Sequence, residues 1–124
     1  MTTTLELRDL IKTALVDVGC PVYEYEADNE DNYPYAVFEL NTNSADIYPR
    51  VGFLEVNVWD RHKTYSTVDT YMDNIESKLK DAYFENSKVA FRCFEGDRSH
   101  ILDPDKGIKR TREKFMIRYN TKGE

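Results

Sequence analysis

The chain has 124 residues, of which 40% are hydrophobic and 32% charged, with a formal net charge of −6. That length holds one domain, residues 1–124, and an acidic balance argues against general nucleic-acid binding, which draws on clustered Lys and Arg. The opening residues lack the basic and apolar regions of a signal peptide, and no apolar run approaches the ~20 residues of a membrane span.

Residues 4–18 read as a helix. Leu7, Leu10, Ile11, Ala14, Leu15 and Val18 share one helical face, Thr3 and Glu6 form a capping box, and Gly19 and Pro21 end the run. The opposite side carries Glu6, Asp9 and Asp17, which favours core packing over a lipid anchor. Val22–Glu26 reads as a short strand. The acidic stretch after it holds Asp28, Glu30 and Asp31. Carboxylates suit Ca²⁺ or Mg²⁺, but the ordered ligand pattern of a calcium loop is missing, so a solvated surface or lumen loop is expected and no metal.

Tyr35–Leu40 alternates as a strand, with Ala36, Phe38 and Leu40 opposed to Tyr35, Val37 and Glu39. Residues 41–50 make a long connection whose distal part holds Asp46, Ile47, Tyr48, Pro49 and Arg50. Its apolar group either folds back on the core or meets a partner. Val51–Asp60 is the clearest strand: Leu54, Val56 and Val58 lie on one face, Phe53, Glu55, Asn57 and Trp59 on the other. Ser66–Phe84 reads as a second helix, with Ser66 and Asp69 as its N-cap signature and Val68, Tyr71, Met72, Ile75, Leu79 and Ala82 as its apolar stripe. Val89–Phe94 is a strand, residues 95–107 a long loop closed by the turn Asp103-Pro104-Asp105-Lys106-Gly107, and Ile108–Tyr119 the last strand. On that strand Arg110, Arg112, Lys114 and Arg118 oppose Thr111, Phe115, Ile117 and Tyr119. The cations could touch nucleic acid, neutralise Glu39 and Glu55 on the same sheet face, or line a subunit contact. The expected fold is α+β, an antiparallel sheet of four to five strands with two amphipathic helices on one face, in the order α-β-β-β-α-β-β.

Charge is unevenly spread: residues 1–60 hold 3 basic and 12 acidic side chains, a net −9, and residues 61–124 hold 14 and 11, a net +3. Such a chain is compatible with head-to-tail self-association. Cys20 and Cys93 form no framework or CxxC pattern and read as reduced thiols. His62 and His100 lack the spacing of a metal pair. Cys93 and His100 could form a nucleophile and base, but an apolar strand raises a thiol's pKa. No cofactor motif occurs, so no enzyme is expected.

The succession Tyr33-Pro34-Tyr35-Ala36-Val37-Phe38, a long loop, Val56-Asn57-Val58-Trp59-Asp60, a polar break and an amphipathic helix resembles the tail-completion proteins of long-tailed bacteriophages, also described as tail terminators or tail-to-head joining proteins. The closing strand, Arg110-Thr111-Arg112-Glu113-Lys114-Phe115-Met116-Ile117-Arg118-Tyr119, is similar to that family's final strand. The resemblance implies a homohexameric ring at the head-proximal end of the virion tail, assembled in the bacterial host cytoplasm, that caps the tail tube and joins it to the head connector proteins while DNA passes through without specific binding. The contacts with the next subunit or the tube are then expected at Asp46, Ile47, Tyr48, Pro49, Arg50, Trp59, Arg61, Arg110, Arg112 and Lys114. Two rivals are another head–tail connector component, such as a head-completion or minor capsid protein, and a small nucleic-acid-binding domain using the last strand.

Overall fold

The alternation at residues 51–60 becomes β3 (Val51–Arg61), which pairs along its whole length with the last strand of the chain. The computed structural model describes residues 3–25, 33–42, 50–94 and 96–121. Its other elements are α1 (Thr3–Ala14), β1 (Val22–Glu24), β2 (Tyr35–Thr42), α2 (Ser66–Leu79), β4 (Tyr83–Glu85), β5 (Val89–Cys93), β6 (Asp97–Ile101) and β7 (Ile108–Thr121). The strands form one seven-stranded sheet in the order β1-β2-β3-β7-β5-β4, with β6 also pairing β7. Both helices pack on one face, as expected, and bury Leu7, Ile11, Leu15, Val68, Met72, Ile75 and Leu79 against Phe38, Leu54, Val56, Phe91, Phe115 and Ile117.

Five expectations are corrected. The sheet is mixed, because β1 runs parallel to β2; β2 starts beside the beginning of β1, where the Ala36 N–H donates to the Pro21 carbonyl at 2.8 Å. The second helix stops at Leu79 instead of Phe84: Lys80 is extended and Asp81 has φ 57°. The residues that follow leave the helix for the sheet edge as β4, where Phe84 stacks on Phe91 at 5.0 Å, so tertiary pairing overrides helix propensity. Ser66 does not cap this helix; Tyr65 holds the cap position, without a side-chain cap bond. The first helix is regular only to Ala14. Its continuation turns because the Val18 carbonyl takes the Asn74 amide at 3.0 Å and Asp17 takes Lys78 at 2.7 Å, both from α2. Gly19, at φ +105°, makes the left-handed reversal. The Thr3 side chain, and with it the capping box, lies outside the described residues.

The fifth correction is β6, inside the expected loop of residues 95–107. β5 and β6 follow one another along one edge of β7. Cys93 is paired with Ile117 and Asp97 with Lys114, so the β5–β6 side uses one residue more than β7 between these pairs. That is a β-bulge. At Gly96 an added Cβ would lie 1.9 Å from the Lys114 carbonyl oxygen, so the bulge is closed by backbone approaching backbone. The strand count rises to seven and the order becomes α-β-β-β-α-β-β-β-β.

β6 carries no apolar stripe. It is held over α2 by charge. Arg98 Nη1 contacts Asp73 at 2.7 Å, Arg98 Nη2 contacts Glu76 at 3.5 Å, and Arg98 Nε donates to Glu113 Oε1 at 2.9 Å. His100 Nε2 meets Asp69 at 2.9 Å while its ring stacks on Tyr65 at 3.9 Å. Glu113 faces the core from β7 at 0% exposure, and its Oε2 has no hydrogen-bond partner among the described residues. Burial first, and the Glu76 carboxyl second, push the Glu113 carboxyl from 4.5 up to about 7, against the lowering pull of Arg98.

Two outcomes follow from this packing. Gly96→Ala is expected to cost roughly 1–3 kcal/mol, since the backbone at Lys114 must move; a denaturation midpoint equal to wild type would show that the bulge relaxes freely. Glu113 holds its proton more tightly in the folded chain than in the unfolded one. Its contribution to stability is therefore present below the unfolded pKa, falls as pH rises toward the folded value near 7, and is flat above it. Glu113→Gln removes this slope, so the variant should gain on wild type by roughly 1–3 kcal/mol between about pH 5 and pH 8. Parallel urea-denaturation curves against pH for the two proteins would show Glu113 ionised throughout.

Candidate functional interface

Among the described residues, no helix lies on the face of the sheet opposite α1 and α2, although Tyr35, Val37 and Asn57 on it are buried. Its layout follows from register. Across β2, β3 and β7 the outward residues line up as Tyr35–Trp59–Arg110, Val37–Asn57–Arg112, Glu39–Glu55–Lys114 and Asn41–Phe53–Met116. Period-2 alternation puts these residues on one face, and pairing turns them into rows.

The first row is an aromatic stack. Tyr33 lies on Tyr35 at 5.5 Å, Tyr35 on Trp59 at 5.3 Å, and the Arg110 guanidinium over Trp59 at 4.9 Å. Tyr23 meets the edge of Tyr35 at 6.2 Å. Arg61 sits over Tyr33 at 5.8 Å and bonds Asp105 at 3.3 Å. Guanidinium against ring faces is a rigid, partly desolvated arrangement. The turn expected at residues 103–107 is present and built on its aspartates: Asp103 Oδ1 accepts the Asp105 N–H at 2.9 Å and Asp105 Oδ1 accepts the Gly107 N–H at 2.8 Å. The Gly107 hydrogen bond, followed by the Arg61 charge, holds the Asp105 carboxyl below its ordinary range. Beside the stack, Arg61, His62, Lys63, Lys106 and Gly107 line an open depression of about 530 Å³.

Arg110 and Lys114 have neighbours within the sheet. Arg110 Nε donates to Asn57 Oδ1 at 2.9 Å, and Asn57 Nδ2 donates to Glu55 Oε2 at 3.1 Å. Lys114 lies in register between Glu55 and Asp97, with its ammonium 4.7 Å from the Phe53 ring centre. Arg110 and Lys114 thus pack on aromatic rings, and among the described residues neither forms an ion pair with Glu39 or Glu55.

Among the expected contact residues, Trp59, Arg61 and Arg110 come together, and Arg112 and Lys114 continue the same face. Arg50 does not join them; it lies at the far end of the sheet, beside Arg92 and Arg118. Asp46, Ile47, Tyr48 and Pro49, and the acidic trio Asp28, Glu30 and Asp31, lie outside the described residues. Sequence reasoning placed Tyr35 and Asn57 on the outward faces of their strands but counted neither them nor Tyr33 among the contact residues. Two aromatics, Tyr35 and Trp59, at outward positions of adjacent predicted strands are the signal that points to them.

The thiols offer no activated nucleophile. Burial pushes Cys20 up to about 11, and burial followed by the Glu113 charge pushes Cys93 up to about 12. His100 is engaged by Asp69 and Tyr65. Among the described residues no group of three His, Cys, Asp or Glu side chains could hold a metal ion, and no helix is long and apolar enough to cross a membrane.

No protein-family model matches the chain, and no curated protein matches it. Its fold is similar to that of a chain in the solved structure "Virion of native gene transfer agent (GTA) particle": the match covers 94% of this chain and 95% of that one, with a TM-score of 0.69 at 14% sequence identity.

Proposed function

We propose that this chain is a structural, non-catalytic component of a phage-like virion. In our reading it forms a closed hexameric ring at the head-proximal end of the tail tube, ends tube polymerisation and joins the tail to the head connector. The observation that carries the reading is the fold similarity over nearly the full length of both chains to a component of a virion particle. The side chains on the sheet face opposite the helices support it. A stack of Tyr33, Tyr35 and Trp59 beside Arg61 and Arg110 has the aromatic and arginine composition of protein interfaces. An acidic chain, at −6, suits a conduit along which DNA must slide without being gripped.

A second reading, nucleic-acid binding through this face, draws on Arg61, Lys63 and Lys106 beside the aromatic stack. It predicts duplex or single-strand affinity that falls steeply with salt. The ring reading predicts no appreciable DNA binding.

The test is native mass across a concentration series, alone and with tail tubes or portal rings. Trp59 is the only tryptophan, so its emission reports directly on the proposed interface. Assembly into a ring should shift that emission to the blue. Trp59→Ala with Arg110→Ala should weaken assembly or tube binding by about tenfold or more, as loss of an aromatic and arginine anchor pair does, with the folded monomer retained. Binding to tail tubes supports the terminator; binding only to portal rings transfers the protein to the connector. A chain that stays monomeric and binds neither would overturn both.

A further inference from the structure

Away from Trp59 the outer face holds two like-charged pairs. Glu39 on β2 and Glu55 on β3 are direct cross-strand partners, and so are Arg92 on β5 and Arg118 on β7. Like charges placed opposite one another destabilise a sheet. Among the described residues Glu39, Glu55, Arg92 and Arg118 form no ion pair. Glu55 accepts the Asn57 amide at 3.1 Å, and Lys114, its neighbour in register, lays its ammonium over the Phe53 ring. Arg92 and Arg118 line a cavity of about 320 Å³, with Tyr83 among its lining at 55% exposure.

An apolar pair lies between the two charged ones. Phe53 on β3 and Met116 on β7 are cross-strand partners, 42% and 38% exposed. Register puts them at the midpoint. Glu55 stands two residues from Phe53 in the direction of Trp59, and Arg118, opposite Val51, stands two residues from that row in the other direction. The β2–β3 and β7–β5 pairings flank the β3–β7 pairing on either side. The carboxylate pair is thus one strand spacing and two residues to one side of Phe53 and Met116, and the guanidinium pair is equally far to the other. Within one chain the two pairs are about 16 Å apart, too far for their side chains to meet.

This layout is complementary to itself. Consider a second copy turned over by a half-turn about an axis that passes between Phe53 and Met116, in the plane of contact, perpendicular to the line joining the charged pairs. Each carboxylate pair then lies over the other copy's guanidinium pair, and the apolar centre lies on its own image. We propose that the outer face around Phe53 and Met116 docks on the same face of a second copy, giving a two-fold dimer of the free chain. Charge complementarity carries the choice of occupant, because one patch holds both halves of its own complement. Forked guanidinium groups match carboxylates with parallel hydrogen bonds, which turns two repulsions within each sheet into two attractions between sheets. The inference goes beyond the ring reading and does not depend on it. Ring closure uses two different patches, whereas this contact uses one patch twice and stops at two copies.

The experiment is native mass and sedimentation of the free chain across a concentration series, without tail tubes. Wild type should form a dimer. Glu39→Arg with Glu55→Arg should dimerise at least about tenfold more weakly, and so should Arg92→Glu with Arg118→Glu. Each variant keeps a like-charged pair within its sheet, and circular dichroism with a urea midpoint confirms its fold. The two variants mixed should form a one-to-one heterodimer, because every contact is then complementary. A chain carrying all four reversals should dimerise again with itself. Either double variant dimerising like wild type overturns the contact, as does a folded mixture that stays monomeric or a folded fourfold variant as weak as the doubles. A wild-type chain that is monomeric at every concentration overturns the dimer, while the ring is read separately on tail tubes. Hexamers that ignore all these substitutions overturn the dimer and leave the ring standing.

Discussion

Everything in this sheet depends on the register between β3 and β7, which runs unbroken from Val51 opposite Arg118 to Arg61 opposite Ile108. A slip by one residue would exchange the faces and bring Phe53, Glu55, Asn57 and Trp59 under the helices. The core side of the pair is apolar at one end, where Leu54 faces Phe115, and polar at the other, where Val56 faces Glu113 and Val58 faces Thr111. The polar end is the part flanked by β6 within the sheet and covered by α2. Arg98, the cross-strand neighbour of Glu113, reaches it while also holding Asp73 and Glu76. A buried carboxylate is costly unless it is paired or protonated. Here one oxygen is paired, and the raised pKa answers for the other. The charge clasp that fastens β6 and the taper of the core are therefore one feature.

Much of this was legible in the sequence wherever burial writes a period. Leu54, Val56 and Val58 alternate because one face of β3 is covered, and Val68, Met72, Ile75 and Leu79 recur because α2 covers it. The misses have a common cause. β6, Asp-Arg-Ser-His-Ile, turns Arg98 and His100 inward to meet carboxylates on α2, so it has no apolar alternation to read. Tyr83 and Phe84 extend the apolar stripe of α2 in sequence yet belong to a sheet edge, since pairing with β5 decides their state. The direction of β1 is invisible to periodicity, because parallel and antiparallel strands alternate alike.

The candidate interface was legible by half for a related reason. Trp59 and Arg110 stand out by residue type, but their meeting is a property of register between residues 51 positions apart. The same holds at the other end. Arg50, Arg92 and Arg118 are unremarkable one by one, and the cavity exists because β5 and β3 both lie along β7. Outward cations that look alike in sequence thus differ in the fold: Arg110 and Lys114 have partners within the sheet, whereas Arg92 and Arg118 face each other.

The edges of the sheet bear on how copies of the chain could meet. β1 and β4, the outermost strands, are three residues each. Short edges offer few free backbone groups, which is a common defence against strand-to-strand aggregation. Lateral association by extending the sheet would gain only a few main-chain hydrogen bonds. A contact between opposite edges must then rest on side chains, where charge can set both partner and polarity. A contact repeated head to tail has to close on itself into a ring or grow into a filament.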